Sequence, residues 1–467
     1  MTLITSISGI RGTIGGTVGD SFSPLDVVRF TAAYACWLRQ RRNKKKAMVV
    51  VGRDARISGE MVQSLVAATL NASGCDVIDT GLASTPTVEM AVTDMAADGG
   101  LIITASHNPR HWNALKMLNE KGEFISADEG KQILAMVADN SYSFVLVDEL
   151  GQTKKDESSM FRHIEKIVKL PLVDIEAIRS ANFSIVVDAV NSVGGIIAPQ
   201  LLKALGVKTI IALNCNPTGE FAHNPEPLPE HLTDLSEAVV SHKAHVGFVV
   251  DPDVDRLAIV NEDGSMFGEE YTLVAVADYV LSKTPGNTVS NMSSTMALRD
   301  VTVKRGGNYF SSKVGEVNVV ECMKKNHAVI GGEGNGGVIY PVLHYGRDAL
   351  VGIALFLTYL AKEKCSCSAL RKRFPDYVIS KNKMEIDTNA DIGAIFAAIQ
   401  KKYADKDINT EDGIKITFTN EWVQLRKSNT EPIVRIYAES CSAAKAQELA
   451  YSIMTEINMI NNKNKTK

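Results

Sequence analysis

Apolar residues along the chain follow two alternating rhythms. "AMVVVGRD" (47–54) is an unbroken apolar run ending in polar residues, the pattern of a strand covered on both faces. "GEMVQSLVAATLNASG" (59–74) then spaces its apolar residues three and four apart and closes on glycine, which predicts an amphipathic helix. "CDVIDTG" and "GGLIITA" read as further strands. The alternation returns in the strand "FSIVVDAVNSVGG" (183–195), the helix "IIAPQLLKALG" and the strand "VKTIIALN". A third round runs through "AHVGFVVDPDVDR" (244–256), "GEEYTLVAVADYVLSKTPG", "NTVSNMSST" and "HAVIGGEGNGG". Strands alternating with helices predict tandem α/β domains. The C-terminal part differs. "GIKITFTNEWVQLRKS" (413–428) and "EPIVRIYAES" (431–440) alternate residue by residue as half-exposed strands, and the helix "SAAKAQELAYSIMTEIN" follows them. That predicts an α+β domain, with the polar tail "NNKNKTK" expected to lack structure. The breaks place domains at 1–155, 156–255, 256–370 and 371–467.

Composition narrows the function classes. A chain of 467 residues agrees with several domains, and 45% apolar with 22% charged residues is ordinary for a globular protein. The net charge of −4 lacks the basic excess of a nucleic-acid binder. No apolar run approaches a membrane span, and "MTLITSISGIRG" lacks the charged start and apolar core of a signal peptide. The seven cysteines stand singly except Cys365 and Cys367 in "CSC", and no second cysteine pair or nearby histidine completes a zinc set. A cytoplasmic protein with reduced thiols is expected, without nucleic-acid or membrane partners. Its oligomeric state is not written in the composition.

Four polar clusters interrupt the domains. In "TASHNP" (104–109), Ser106 sits where a buried strand gives way to a turn or helix start. A serine at such a corner is either a nucleophile or a helix cap, and the G-x-S-x-G elbow of hydrolases is absent. In "DPDVDR", Asp251, Asp253 and Asp255 alternate directly after the strand "VGFVV". Three carboxylates so close repel one another unless a cation lies among them. The EF-hand spacing fails because Arg256 stands where its tight turn needs glycine, which leaves Mg²⁺ as the better fit. A solvated acidic turn is the rival. In "GGEGNGGVIYP" (331–341) the glycines match G-x-G-x-x-G, but a strand-like "VIYP" follows instead of the helix a dinucleotide site requires. The expectation is a flexible glycine loop presenting Glu333 and Asn335 to sugar hydroxyls, against an ordinary glycine hairpin. In "RKSNTEPIVR" (426–435), Arg426, Ser428, Asn429, Thr430 and Arg435 bring guanidinium, hydroxyl and amide donors together. They form either a dianion cradle or a polar turn.

A nucleophile, a magnesium triad, a sugar loop and a phosphate clamp together describe phosphoryl transfer on a phosphosugar. With these four motifs in this order, and with "SGIRG" (8–12), "VGRDAR" (51–56) and "KVGEVNVV" (313–320), the whole chain resembles the α-D-phosphohexomutases. The resemblance implies three α/β domains with mixed sheets and a C-terminal α+β domain, heart-shaped around a central cleft over which the fourth domain closes. It implies that Ser106 carries the phosphoryl group, and that Asp251, Asp253 and Asp255 hold Mg²⁺ with an oxygen of Ser106. Arg256, Glu333 and Asn335 would meet the substrate, and Arg426, Ser428, Asn429, Thr430 and Arg435 its phosphate. Arg11, His107 and Lys116 become candidates for proton transfer and charge stabilisation. A small-molecule phosphosugar is the implied partner, with a hexose 1,6-bisphosphate as activator and intermediate. The chain departs from the common pattern at Ala114 in "WNALK" and at Pro252, each where many members carry glycine. Gly332-Glu333-Gly334-Asn335-Gly336 replaces the bacterial G-E-x-S-G and resembles the archaeal type of phosphoglucosamine mutase. Glucose or mannose phosphates, a sugar-1,6-bisphosphate synthase and a non-catalytic sugar-phosphate sensor are the other readings of the same scaffold.

Overall fold

The computed structural model describes residues 3–6, 9–386, 391–427 and 433–465, without the side chains of 6 and 462–465. The chain divides into two compact units, Met1–Thr272 with Asn335–Arg371, and Leu273–Gly334 with Lys372–Lys467.

In the first unit a seven-stranded sheet has the order Leu3–Ser6, Gly9–Thr13, Trp112–Leu118, Gly99–Ile103, Ala47–Arg53, Cys75–Leu82, Thr153–Lys155. Ala47–Arg53 is parallel to both neighbours, whereas Trp112–Leu118 returns antiparallel to Gly99–Ile103. The unbroken apolar run explains the central position of 47–53. Val49 and Val51 join the core formed with Phe30, Trp37 and Leu38 of the helix Pro24–Arg42. Val50 enters a second core with Val88 and Val92 of the helix Thr85–Asp94. Successive side chains leave a strand on opposite faces, so only a strand apolar at every position can be covered on both.

A second sheet in this unit has the order Leu257–Asn261, Val246–Val250, Ser184–Asp188, Thr209–Leu213. Val246–Val250 runs parallel to Ser184–Asp188 and antiparallel to Leu257–Asn261, with Val250 opposite Leu257. Residues 251–256 are therefore the loop of a hairpin whose two strands are buried throughout. The helix Ala349–Glu363 begins at Asp348, whose Oδ1 accepts the N–H groups of Leu350 at 2.8 Å and Val351 at 3.3 Å. This cap satisfies donors that the first helical turn leaves without partners.

In the second unit, Asn287–Asn291 is flanked in parallel by Tyr309–Ser312 and Ala328–Glu333. A separate antiparallel sheet has the order Val378–Glu385, Ile433–Ser440, Trp422–Lys427, Ile414–Thr417, Asp407–Asn409. Its alternating residues Val423, Leu425, Val434 and Ile436 pack with Ile395, Ile399, Ile453 and Ile457 of two helices, as expected for an α+β domain. The last helix runs from Ala443 to Lys465, into the polar tail expected to lack structure. Extending an existing helix costs far less than nucleating one, so packing upstream carries the polar residues along. Among the described residues, no helix is long and apolar enough to cross a membrane.

Candidate active site

Ser106 lies between the antiparallel strands Gly99–Ile103 and Trp112–Leu118, so the corner is strand to strand and no helix follows for it to cap. The residue is buried and takes a left-handed backbone, φ 48°. Its N–H donates to Thr104 Oγ1 at 2.9 Å, and Thr104 in turn donates to Asp54 Oδ2 at 2.7 Å.

Arg56, the last residue of "VGRDAR" and given no role by the sequence, organises this loop. Its guanidinium donates to the carbonyls of Ser106 at 2.5 Å, Asn108 at 2.7 Å, Pro109 at 2.8 Å and Trp112 at 2.9 Å. Its Nε pairs with Asp54 at 3.0 Å, and neither side chain is exposed. A planar fork with five donors can serve four carbonyls and a carboxylate at once, more than the three donors of a lysine allow.

The hydroxyl of Ser106 donates to Asp251 Oδ2 at 2.8 Å, across a separation of 145 residues. Asp251, Asp253 and Asp255 are all buried, and their oxygens come within 4.8 Å of one another. The hairpin bends sharply enough to hold Val254, a β-branched residue, at φ 63°. Asp251 Oδ1 accepts the N–H groups of Asp255 at 3.1 Å and Arg256 at 3.2 Å, which turns that carboxylate into the loop. Asp253 Oδ2 receives Thr85 Oγ1 at 2.6 Å and Lys116 Nζ at 2.7 Å. Asp255 Oδ2 receives Arg347 Nη2 at 2.6 Å, and Arg256 Nε lies 3.8 Å from Asp255 Oδ1. Thr85 and Arg347 lie outside every sequence motif, and Arg56 lies inside one that gave it no role.

The electrostatics fit a divalent cation. Asp253 Oδ1 and Asp255 Oδ1 are buried without a hydrogen-bond partner. Burial, then the charges of Asp255 and Asp253, push the Asp251 carboxyl well above its usual range. Burial opposes ionisation of Asp253 too, but Lys116 outweighs it and holds that group below the carboxylate range. Lys116 answers in kind: Asp253 and Asp255 overcome its burial and keep the ammonium protonated. Hard, crowded carboxylate oxygens with unmet lone pairs are what Mg²⁺ takes. His107 Nδ1 is 3.3 Å from Ser106 Oγ, and burial with the positive Arg256 and Arg347 holds its pKa down to about 3. Arg11 is exposed on the strand Gly9–Thr13, in register with Ala114.

Asn335 belongs to the first unit, where its Oδ1 accepts the N–H of Gly337 at 3.3 Å. Beside it the backbone of Gly336, φ 85°, lies so near Leu257 that a Cβ would come 2.3 Å from the Leu257 carbonyl oxygen. Glu333 belongs to the second unit and is the buried last residue of a strand, not part of a flexible loop. Its Oε1 accepts Asn291 Nδ2 at 2.8 Å and the N–H of Gly315 at 3.2 Å. In the same unit Arg426 and Arg435 are direct cross-strand partners, and Arg426 Nε pairs with Asp412 at 3.0 Å. Two like charges placed opposite on one sheet face repel, and an anion relieves them. Ser428, Asn429 and Thr430 lie outside the described residues.

A buried serine hydroxyl on a carboxylate triad, with cations pinned to the acids, is equipment for metal-assisted phosphoryl transfer. The sequence agrees over its length. The domain families described as phosphoglucomutase/phosphomannomutase α/β/α domains I, II and III match residues 3–143, 161–264 and 268–377, and the C-terminal domain of that family matches 381–456. A phosphoglucomutase/phosphomannomutase of Thermococcus kodakarensis is 35% identical over 94% of this chain and 96% of its own. A probable phosphoglucosamine mutase of Methanopyrus kandleri is 32% identical over 95% of each. The crystal structure of a phosphoglucomutase/phosphomannomutase family protein from Burkholderia thailandensis superposes with a TM-score of 0.85 at 26% identity, covering 98% of this chain and 97% of that one. The chain belongs to the phosphoglucomutase/phosphomannomutase family and is a phosphohexomutase of the α-D-phosphohexomutase superfamily.

Proposed function

We propose that the chain interconverts hexosamine 6-phosphate and hexosamine 1-phosphate, as a phosphoglucosamine mutase, through phospho-Ser106 and a 1,6-bisphosphate. The observation that carries this reading is the 2.8 Å contact of Ser106 Oγ with Asp251 at the edge of a triad with unmet buried oxygens. Mg²⁺ held by Asp251, Asp253, Asp255 and an oxygen on Ser106 would spread the charge of the transferring phosphoryl group.

The side chains divide the remaining work. Lys116, fixed as an ammonium by Asp253 and Asp255, cannot accept a proton and instead offsets phosphoryl charge. His107 stands beside Ser106 Oγ, but a pKa held down to about 3 makes it a weak base, so its neutral ring serves to orient the serine oxygen and not to take a proton. Arg56 holds the serine loop so that Oγ meets the incoming phosphate at one angle. Arg11 and Arg256 add positive charge for the substrate. Arg426 and Arg435, with Ser428, Asn429 and Thr430, take the phosphate that is not reacting. Glu333 and Asn335 grip sugar hydroxyls. After the first transfer the bisphosphate turns end for end, and its other phosphate returns to Ser106.

The glycine loop "GEGNG" and the Methanopyrus relative's name support glucosamine phosphate. The Thermococcus relative's name supports a second reading, glucose and mannose phosphates. A sugar-1,6-bisphosphate synthase uses the same groups but releases the intermediate. A coupled assay with α-glucosamine-1-phosphate, α-glucose-1-phosphate and α-mannose-1-phosphate, each with and without bisphosphate primer and with Mg²⁺ or chelator, separates them. The expected result is highest kcat/KM for glucosamine-1-phosphate, dependent on Mg²⁺. Accumulation of free bisphosphate as the end product would replace the mutase reading with the synthase.

A further inference from the structure

Apart from the serine and the aspartate triad, but within the first unit, three side chains from distant parts of the chain converge. His163 comes from the helix Ser159–Val168, Asp348 caps the helix Ala349–Glu363, and His344 lies in the loop before it. His163 Nε2 is 2.9 Å from Asp348 Oδ2, and His344 Nε2 is 3.4 Å from the same oxygen. One donor atom from each of the three lies within 4.8 Å of the others. The second Asp348 oxygen is engaged in capping its helix, which fixes the carboxylate's orientation.

The far side of each imidazole is held by a single helix, Thr85–Asp94. His163 Nδ1 is 2.9 Å from Thr87 Oγ1, and His344 Nδ1 is 3.3 Å from Glu89 Oε2. Two imidazole nitrogens and a carboxylate oxygen make a zinc donor set with one position left over. A hydroxyl and a carboxylate behind the rings are the outer partners that orient histidine ligands and select which nitrogen faces the metal. Charge points the same way. Glu89 and Asp348 are two buried carboxylates in one cluster, 2% and 0% exposed. Against the effect of burial, the same two carboxylates raise the pKa of His344 to about 10, so without a metal its imidazolium offsets one of them, whereas a dication offsets both.

We propose that His163, His344 and Asp348 form a second metal site, for zinc or a cation of its class, with a water at its fourth position. The site ties the helices Thr85–Asp94, Ser159–Val168 and Ala349–Glu363 at one point. It also acts on the aspartate triad from behind. Arg347, adjacent to Asp348, reaches Asp255, and Thr85, on the helix that carries Thr87 and Glu89, reaches Asp253. His344, with 13% of its side chain exposed, gives the cation its way in.

The test uses the full chain, stripped with a chelator, returned to excess Mg²⁺ and titrated with Zn²⁺, with retained zinc counted by elemental mass spectrometry after gel filtration. Co²⁺ serves as the spectroscopic probe. The expected result is one retained zinc per chain, intense visible bands of tetrahedral Co²⁺, and zinc affinity lowered about 10–100-fold by Glu89→Gln. His344→Gln, checked for folding by circular dichroism, loses the zinc, while Asp253→Asn keeps it. If His344→Gln does not fold, retention of zinc and of the Co²⁺ bands by Asp253→Asn still decides between the two metal sites. No retained zinc in the unmodified chain, or zinc lost with Asp253→Asn and kept with His344→Gln, overturns the proposal.

Discussion

At the scale of single residues, Ser106 is distinguished by what surrounds its oxygen. Asp251 takes its hydroxyl hydrogen bond, and the loop that carries it is bound at four carbonyls by Arg56. If Ser106 carries the phosphoryl group, intact-mass measurement of the purified chain shows a phosphate adduct on part of the protein. Ser106→Ala lacks the adduct and nearly all turnover, and normal turnover in that variant would refute the assignment. Arg56 makes a different prediction. Arg56→Lys keeps the charge but cannot reach every carbonyl, so kcat falls, on the order of 100-fold for a misplaced nucleophile, with KM little changed. Arg56→Met leaves Asp54 buried without its partner and costs about 3–5 kcal/mol of stability. Steady-state kinetics and denaturant unfolding check both, and a raised KM with unchanged kcat would mean that Arg56 serves binding instead.

At the scale of elements, loops that leave the sheets carry the polar chemistry, and one of them is poised to respond to pH. His223 Nε2 lies 3.2 Å from Asp188 at the end of the strand Ser184–Asp188, and its Nδ1 is 2.8 Å from the Asn224 carbonyl oxygen. Burial opposes the imidazolium, but acceptors at both ring nitrogens outweigh it, and the pKa of His223 is raised. A raised folded value means that the contribution to stability is full below the ordinary imidazole pKa and is lost as pH rises through the folded value. The melting temperature of the parent chain should therefore exceed that of His223→Gln near about pH 6, and the gap should narrow toward about pH 8. A gap that widens with pH would show the opposite sign. This contact was not legible in the sequence, and the reason is general. The triad and the serine motif could be read because their unusual residues are neighbours in the chain. Arg56, Thr85 and Arg347 could not, because their partners lie 50, 168 and 92 residues away. The α/β alternation was legible because period and strand burial are local properties. The corner at Ser106 was misread as a possible helix start because polar turn residues look alike whether a helix or a returning strand follows. Glu333 was assigned to a flexible loop because its glycines were counted, and its anchors Asn291 and Gly315 were out of sight.

At the scale of the whole molecule, the proposed function assigns different stretches of the chain to different parts of a phosphosugar. Arg426→Ala should weaken every phosphosugar alike, by about 1.5–3 kcal/mol for one charge-assisted contact, because each substrate presents a phosphate. Glu333→Gln should depend on stereochemistry at C3 and C4, separating gluco from galacto sugars but not glucose from mannose, which differ at C2. Values of kcat/KM across those sugars test the division, and exchanged profiles would exchange the roles. The chain also crosses twice from the first unit to the second, at 272/273 and at 371/372, and returns once between, at 334/335. That interleaving matters during synthesis on the ribosome. The strands around Ser106 and the hairpin of Asp251, Asp253 and Asp255 emerge early, yet Arg347, which sits on Asp255, emerges only after the inserted stretch 273–334. A nascent chain thus displays its acidic loop before the guanidinium that offsets it exists. Premature termination between residues 255 and 347 leaves the serine, Lys116 and all three aspartates translated but Asp255 without its guanidinium, so catalytic competence arrives late in translation.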